Sequence, residues 1–169
     1  MSVPASKSYT HRAIMMAALS EGRCSVRNPL DSFDTKATAE AMRSMGAAIE
    51  PFEGGLRVET ERLHAPDRTI DVMNSGTTMR LMTGLAALFD SETTITGDES
   101  IRRRPMGPLL EALEGCGARC ASDGGRAPIK IRGPVKGDRI VIDGSMSSQF
   151  VSSMLMMSPL VGRPMDVVI

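Results

Sequence analysis

Tryptophan is absent, tyrosine occurs once, and aromatics make up 3% of the 169 residues. Base-stacking platforms and carbohydrate-stacking clefts need more rings than that. An excess of one charge is also lacking. Lys+Arg and Asp+Glu number 20 each, for a net charge of zero, without the basic surplus that marks a nucleic-acid surface. Cysteine is scarce: Cys24, Cys116 and Cys120 are an odd set that builds no disulfide framework. Cys116 and Cys120 lack the C-x-x-C spacing and a second pair that zinc requires. Free thiols fit a reducing cytoplasm, which is the expected location. No apolar run approaches the roughly 18 residues of a membrane span. No basic-then-apolar leader opens the chain, and no Walker or G-x-G-x-x-G pattern precedes a helix, so ATP and nicotinamide cofactors are not expected.

What the chain does have is one domain's worth of residues, 41% of them hydrophobic, and an internal repeat. Fourteen methionines read as flexible core filler in place of bulky rings. Three stretches share a small polar start, an apolar run of helical period, a turn and a β-branched run: Arg12–Val26, Arg80–Ile95 and Gln149–Val167. Anchored on Leu19, Leu88 and Leu160, they recur at spacings of 69 and 72 residues. A second amphipathic helix follows in Asp34–Ile49 and again in Arg104–Cys120, closed by Gly46 and Gly117. Pro105 is expected at the first position of the latter helix. Strand-like runs follow at 55–60 and 69–72, and at 128–133 and 138–143. The fold class is therefore α/β, built of βαβαββ units. A single incomplete domain over 1–169 holds repeat 1 at about 1–73, repeat 2 at about 74–143 and a partial repeat 3 at about 144–169. Met1-Ser2-Val3 reads as an opening strand, and the chain ends inside its third unit, as a fragment would.

The first helices open with Ser6–Arg12, Asn74–Arg80 and Gly144–Phe150. Ser, Asn and Thr there are ordinary caps. The charges are not ordinary. A helix start favours Asp or Glu, yet Lys7 and Arg12 stand near one start, Arg80 near the second, and Arg102, Arg103 and Arg104 before a further helix. An anionic ligand resolves the conflict. Backbone N–H groups and the dipole already make a helix start an anion site. Arginine adds a bidentate fork, and Gly76 allows close approach to the backbone. Several such starts gathered together would hold a substrate with more than one anionic group. His11 and His64 share no ligand spacing and are read as surface or cap histidines. Asp31–Thr35 reads as the loop and N-cap of the second helix.

Five blocks carry a resemblance. They are Pro4–Ser8 with Arg12, Leu30–Ser32 with Asp34, Asn74–Arg80, Arg104-Pro105 with Gly107 and Leu109, and Asp143–Ser145 with Ser147–Phe150. In order and spacing the chain resembles the 3-phosphoshikimate 1-carboxyvinyltransferase (5-enolpyruvylshikimate-3-phosphate synthase) family. The resemblance implies two similar domains of three βαβαββ units, with substrates between them. It implies transfer of the enolpyruvyl group of phosphoenolpyruvate to the 5-hydroxyl of shikimate 3-phosphate, releasing phosphate, with no metal or organic cofactor. Matched residue by residue, Lys7, Ser8, Arg12, Ser147, Ser148 and Gln149 face shikimate 3-phosphate. Lys7, Gly76, Arg104 and Gln149 face phosphoenolpyruvate, and Lys7 is the catalytic candidate. The family's proton-accepting Asp, a partner Glu and further cations belong to the other domain, so this chain is expected to be inactive alone. An unpaired sheet edge makes self-association an expectation. Leu81 departs from the proline common after the Met-Arg pair, which leaves glyphosate sensitivity open.

Two rival readings fit less well. UDP-N-acetylglucosamine enolpyruvyl transferase typically has Asn where Ser8 stands and often a reactive Cys where Glu99 stands. A noncatalytic anion- or RNA-binding repeat module fits poorly with zero net charge and few aromatics.

Overall fold

A computed structural model of the chain describes residues 4–20 and 22–169. The first helix, α1 (Lys7–Leu19), leads into β1 (Gly22–Arg27), α2 (Phe33–Ser44) and the hairpin β2 (Ala48–Phe52) and β3 (Gly55–Thr60). Next come β4 (Ile70–Asp71), α3 (Gly76–Ala86), β5 (Thr93–Thr96), the short α4 (Glu99–Arg102) and α5 (Gly107–Gly115). The hairpin β6 (Arg119–Asp123) and β7 (Arg126–Arg132) follows, then β8 (Arg139–Val141), α6 (Ser148–Met157) with a 3₁₀ turn at Ser158–Val161, and β9 (Asp166–Val168).

The sheets repeat one pattern. The first has the order β1-β3-β2, the second β4-β5-β7-β6, and the third pairs β8 with β9. In each of the first two, the later hairpin strand pairs antiparallel with the strand that follows the first helix. Parallel pairing opens the second unit through β4 and β5, and the third through β8 and β9. The opening strand expected at residues 1–3 lies outside the described residues. The α/β repeat is thus present, with two corrections to its strands.

The first members of both hairpins, β2 and β6, escaped the sequence reading, which ended the preceding helices there. Each is an edge strand with little apolar alternation. Pro51 in β2 also argues locally against a strand, although an edge tolerates its missing N–H. The runs at 69–72 and 138–143, read as closing units 1 and 2, instead pair forward into β5 and β9. The helix expected to begin at Pro105 begins at Gly107, with Met106 as N-cap and Pro108 in its first turn.

Side-chain alternation is cleanest in β7, where Ala127, Ile129 and Ile131 face inward. Met15, Met42, Met45, Met79, Met82, Met106, Met154 and Met157 are buried, as filler should be, while Met16, Met73 and Met146 are exposed. Helix α3 is the most enclosed: Thr78, Met79 and the run Leu81–Ala86 are all buried. It packs against α6, α2 and α1. Gly84 lets α6 come close, because a Cβ there would run into Ser153 Oγ and lie 3.2 Å from Met154 Cε. Ser153 Oγ then donates to the Arg80 carbonyl at 2.7 Å. Cys24, Cys116 and Cys120 are free. Burial pushes the Cys120 thiol up to about 11 and raises that of Cys116, so neither is a poised nucleophile. Among the described residues no helix is long and apolar enough to cross a membrane.

Candidate active site at the helix starts

Each long first helix begins without an acidic residue in its first turn. Ser75 caps α3 by accepting from Thr78 N, and Ser147 caps α6 by accepting from Gln149 N. Ser6 precedes α1 and makes no side-chain cap. The sequence reading of these starts as caps holds for two of three.

Contacts join the starts one to the next. Lys7 Nζ donates to Asp34 Oδ2 at 2.7 Å, tying α1 to the first turn of α2. Asp34 belongs to a start closed by a capping box between Ser32 and Thr35, as the loop-and-cap reading of 31–35 expects. Thr78 Oγ1 meets Thr38 Oγ1 at 2.6 Å and donates to the Asp34 carbonyl at 3.4 Å, tying α2 to α3. Gln149 ties α3 to α6: its Nε2 donates to Thr77 Oγ1 at 2.9 Å, and its Oε1 accepts from Arg80 Nη1 at 2.7 Å. Arg12 spans from α1 to α6, donating to the Ser8 carbonyl at 3.1 Å and to Ser152 Oγ at 2.9 Å.

The turn into α3 is built tightly. Met73 has a φ of 55°, in the left-handed region that a non-glycine residue seldom takes. The Asp71 carboxylate accepts its N–H at 2.8 Å. Asn74 stands between Asp98, to which it donates at 2.6 Å, and Arg104, whose Nη2 lies 3.5 Å from its oxygen. The Ile101 backbone N–H holds the Asp98 carboxyl below the usual range, and the Asn74 amide adds to this. The Arg104 guanidinium rests on Gly76 so closely that a Cβ at 76 would collide with Nη1. The arginine triplet divides: Arg102 donates to the Gly97 carbonyl, Arg103 pairs with Glu99, and Arg104 alone faces Gly76.

Electrostatically the cluster is unbalanced. Arg12, Arg80 and Arg104 bond to neutral groups, and among the described residues none makes a salt bridge. Arg80 is partly buried over the Phe150 ring, 5.4 Å from its centroid, and its Nε is buried without a partner. Burial, and then the nearby Arg104, lower its hold on the proton. Guanidiniums without carboxylates, at the positive ends of helices, make an arrangement suited to an anion.

Of the residues expected at the site, Gly76 and Arg104 touch, Gln149 bridges α3 and α6, and Arg12 reaches α6. Lys7 is linked to Asp34. Ser8 and Ser148 are exposed, while the Ser147 hydroxyl is engaged as a cap. No hydrogen bond among the described residues links Lys7 with Arg104, Ser147 or Ser148. Arg80, already among the cations at the helix starts, is joined by Thr77 and Asn74, which the sequence reading does not name individually although both sit in the block Asn74–Arg80. His11 is corrected outright: it is fully buried, not on the surface. Its spacing from Ile14, Met15 and Ala18 put it on the apolar face of α1, a signal that was available. His64 is exposed and lies over Gly46 at the end of α2.

A cleft of about 670 Å³ along α2, lined by Leu30, Phe33, Leu56 and Met73 among others, includes none of the expected site residues. It is mainly apolar. Among the described residues no group of three or more His, Cys, Asp or Glu could hold a metal ion.

A family model described as EPSP synthase (3-phosphoshikimate 1-carboxyvinyltransferase) matches residues 1–168. A 3-phosphoshikimate 1-carboxyvinyltransferase of Halorubrum lacusprofundi is 49% identical over 164 residues, covering 90% of this chain and 36% of its own length. One of Nitrosopumilus maritimus is 46% identical over 158 residues, covering 93% and 37%. A solved EPSP synthase of Acinetobacter baumannii superposes with a TM-score of 0.83 at 33% identity, over 94% of this chain and 37% of that one. The chain thus spans little more than a third of the length of these relatives.

Proposed function

The chain belongs to the EPSP synthase family, and on that premise we propose that it supplies one wall of an enolpyruvyl transferase active site. The reaction is transfer of the enolpyruvyl group of phosphoenolpyruvate to the 5-hydroxyl of shikimate 3-phosphate, with release of phosphate. The observation that carries this reading is the set of Arg12, Arg80 and Arg104, unpaired with carboxylates at joined helix starts. Both substrates are multiply anionic, and such a surface is complementary to them.

In this reading Lys7, Ser8, Arg12, Ser147, Ser148 and Gln149 receive shikimate 3-phosphate. Lys7, Gly76, Arg104 and Gln149 receive phosphoenolpyruvate. The residues act by holding two anions in reacting geometry and by stabilising the charge that builds on the departing phosphate. Gly76 is bare so that Arg104 can lie along the start of α3. Gln149 is held by both ends of its amide, which directs it between the two ligands. Lys7 is paired with Asp34 until an anion competes for it, and is the candidate for proton transfer or for charge on the leaving group. No metal or organic cofactor enters the scheme.

The partner is a second domain of the same enzyme, which supplies the proton acceptor and the remaining cations. The 169 residues form one incomplete domain, cytoplasmic and inactive alone. Phosphate release by the purified chain would refute that inactivity. The incomplete third unit, whose sheet is the pair β8-β9, leaves a strand edge unpaired and favours self-association, and a single species of monomer mass in sedimentation would count against it.

The test is a two-dimensional amide NMR titration. Shikimate 3-phosphate is expected to move Ser8, Arg12 and Ser147–Gln149. Shifts only with UDP-N-acetylglucosamine would assign the site to the related transferase instead.

A further inference from the structure

His11 takes no part in the anion chemistry, yet it is fully buried. Its Nδ1 lies 2.6 Å from Thr38 Oγ1, and its Nε2 is buried without a partner. Thr38 Oγ1 lies 2.6 Å from Thr78 Oγ1, which lies 2.6 Å from Ser75 Oγ. Four side chains from α1, α2 and the start of α3 thus form one connected hydrogen-bond chain.

Donor accounting selects its direction. If Nδ1 accepted from Thr38, the proton would sit on Nε2 as a buried donor with nothing to bond. If Nδ1–H donates to Thr38, Thr38 and Ser75 both donate to Thr78, and Thr78 donates to the Asp34 carbonyl. The Thr78 backbone N–H goes to Ser75 Oγ at 3.2 Å. Every donor is then satisfied, and only an Nε2 lone pair is unfilled, the cheaper of the two defects. We infer that His11 is a positioning residue: as the Nδ1–H tautomer it anchors a relay through Thr38 to Thr78 that holds the start of α3, and Gly76 with it, against the starts of α1 and α2. The charged groups around it agree with a neutral ring. Asp34 on α2 favours a second proton, but burial, the largest influence, opposes it, and Lys7 and Arg12 on α1 add to that opposition.

The structural part of this inference is independent of which anion binds; only its effect on affinity rests on the function proposed above. The test uses the 169-residue chain and the variants His11→Phe, His11→Asn and Thr38→Val. Long-range proton–nitrogen spectra of the wild-type imidazole are expected to show Nδ1 protonated and Nε2 bare. His11→Phe is expected to move the amides of Ser75–Thr78, and His11→Asn, whose amide can donate as Nδ1–H does, to restore them. Affinity for shikimate 3-phosphate should fall roughly fivefold in His11→Phe, the loss of about one net hydrogen bond, and recover in His11→Asn. If His11→Phe does not fold, Thr38→Val breaks the same chain and must move the same amides. An Nε2–H tautomer, unmoved Ser75–Thr78 amides, or failure of Asn to restore them would overturn the inference. Absence of shikimate 3-phosphate binding in the wild type would count against the proposed function, while tautomer and amide shifts still decide the role of His11.

Discussion

Acidification should cost this molecule stability through the buried His11. Burial holds its imidazole at about 4 in the fold, against an ordinary 6.5. Asp34 pulls the value up, Lys7 and Arg12 push it down, and none outweighs burial. Between pH 6.5 and 4 the unfolded chain therefore binds a proton that the folded chain refuses. Stability is complete above about 6.5 and drains away as pH falls through that window. Each pH unit is worth about 1.4 kcal/mol, so the window removes about 3 kcal/mol. That is a large share of the 5–15 kcal/mol typical of a domain. The assay is urea unfolding at pH 7, 5.5 and 4.5, for the wild type and His11→Asn. The asparagine cannot titrate but keeps a donor for Thr38, so the difference between the two chains removes every other titrating group. With a slope near 2 kcal/mol per molar urea, the wild-type midpoint should fall about 1 M further than that of the variant. Parallel loss in both chains would show that the buried imidazole protonates without cost, and the burial reasoning would fail.

Gly76→Ala should drive its new methyl into Arg104 Nη1. It is expected to weaken anion binding about tenfold, as read by NMR titration, with thermal stability changed by less than about 1 kcal/mol, since alanine is the better helix former. Gln149→Ala removes the one side-chain hydrogen-bond acceptor that the partly buried Arg80 has among the described residues. Urea unfolding should show a loss of about 1–3 kcal/mol, and a loss near zero would mean that the guanidinium finds water instead. Ser32→Ala deletes one half of the α2 capping box and should cost about 1 kcal/mol in the same measurement, without altering the imidazole spectrum of His11.

Local chemistry made much of this molecule readable in advance. Apolar residues at helical spacing marked the starts of α1, α3 and α6, because a helix that buries one face must repeat its pattern every three to four residues. Recurrence of that pattern at 69 and 72 residues disclosed the repeat. Cations standing where a dipole repels them were also visible in advance, since a helix start and its first turn are a few residues apart whatever the tertiary fold. The edge strands were lost for the complementary reason. β2 and β6 are held by partners on one side only and need no apolar alternation to exist, and β4 and β8 reveal their role only through the strands they join.

The repeat, the helix starts and the cations around them are encoded within a few residues of chain and can be read without coordinates. Which cations come together is set by packing. Arg104 turns to Gly76, 28 positions earlier, while Arg102 and Arg103 find local partners. Packing also decided that Gln149 takes Arg80 across 69 residues and that His11 sits inside the core, bonded to Thr38 across 27. A guanidinium or an imidazole carries the same atoms wherever it stands. Its partners and its proton are set by the dielectric and the donors around it, and those are supplied by helices distant in sequence that packing brings together.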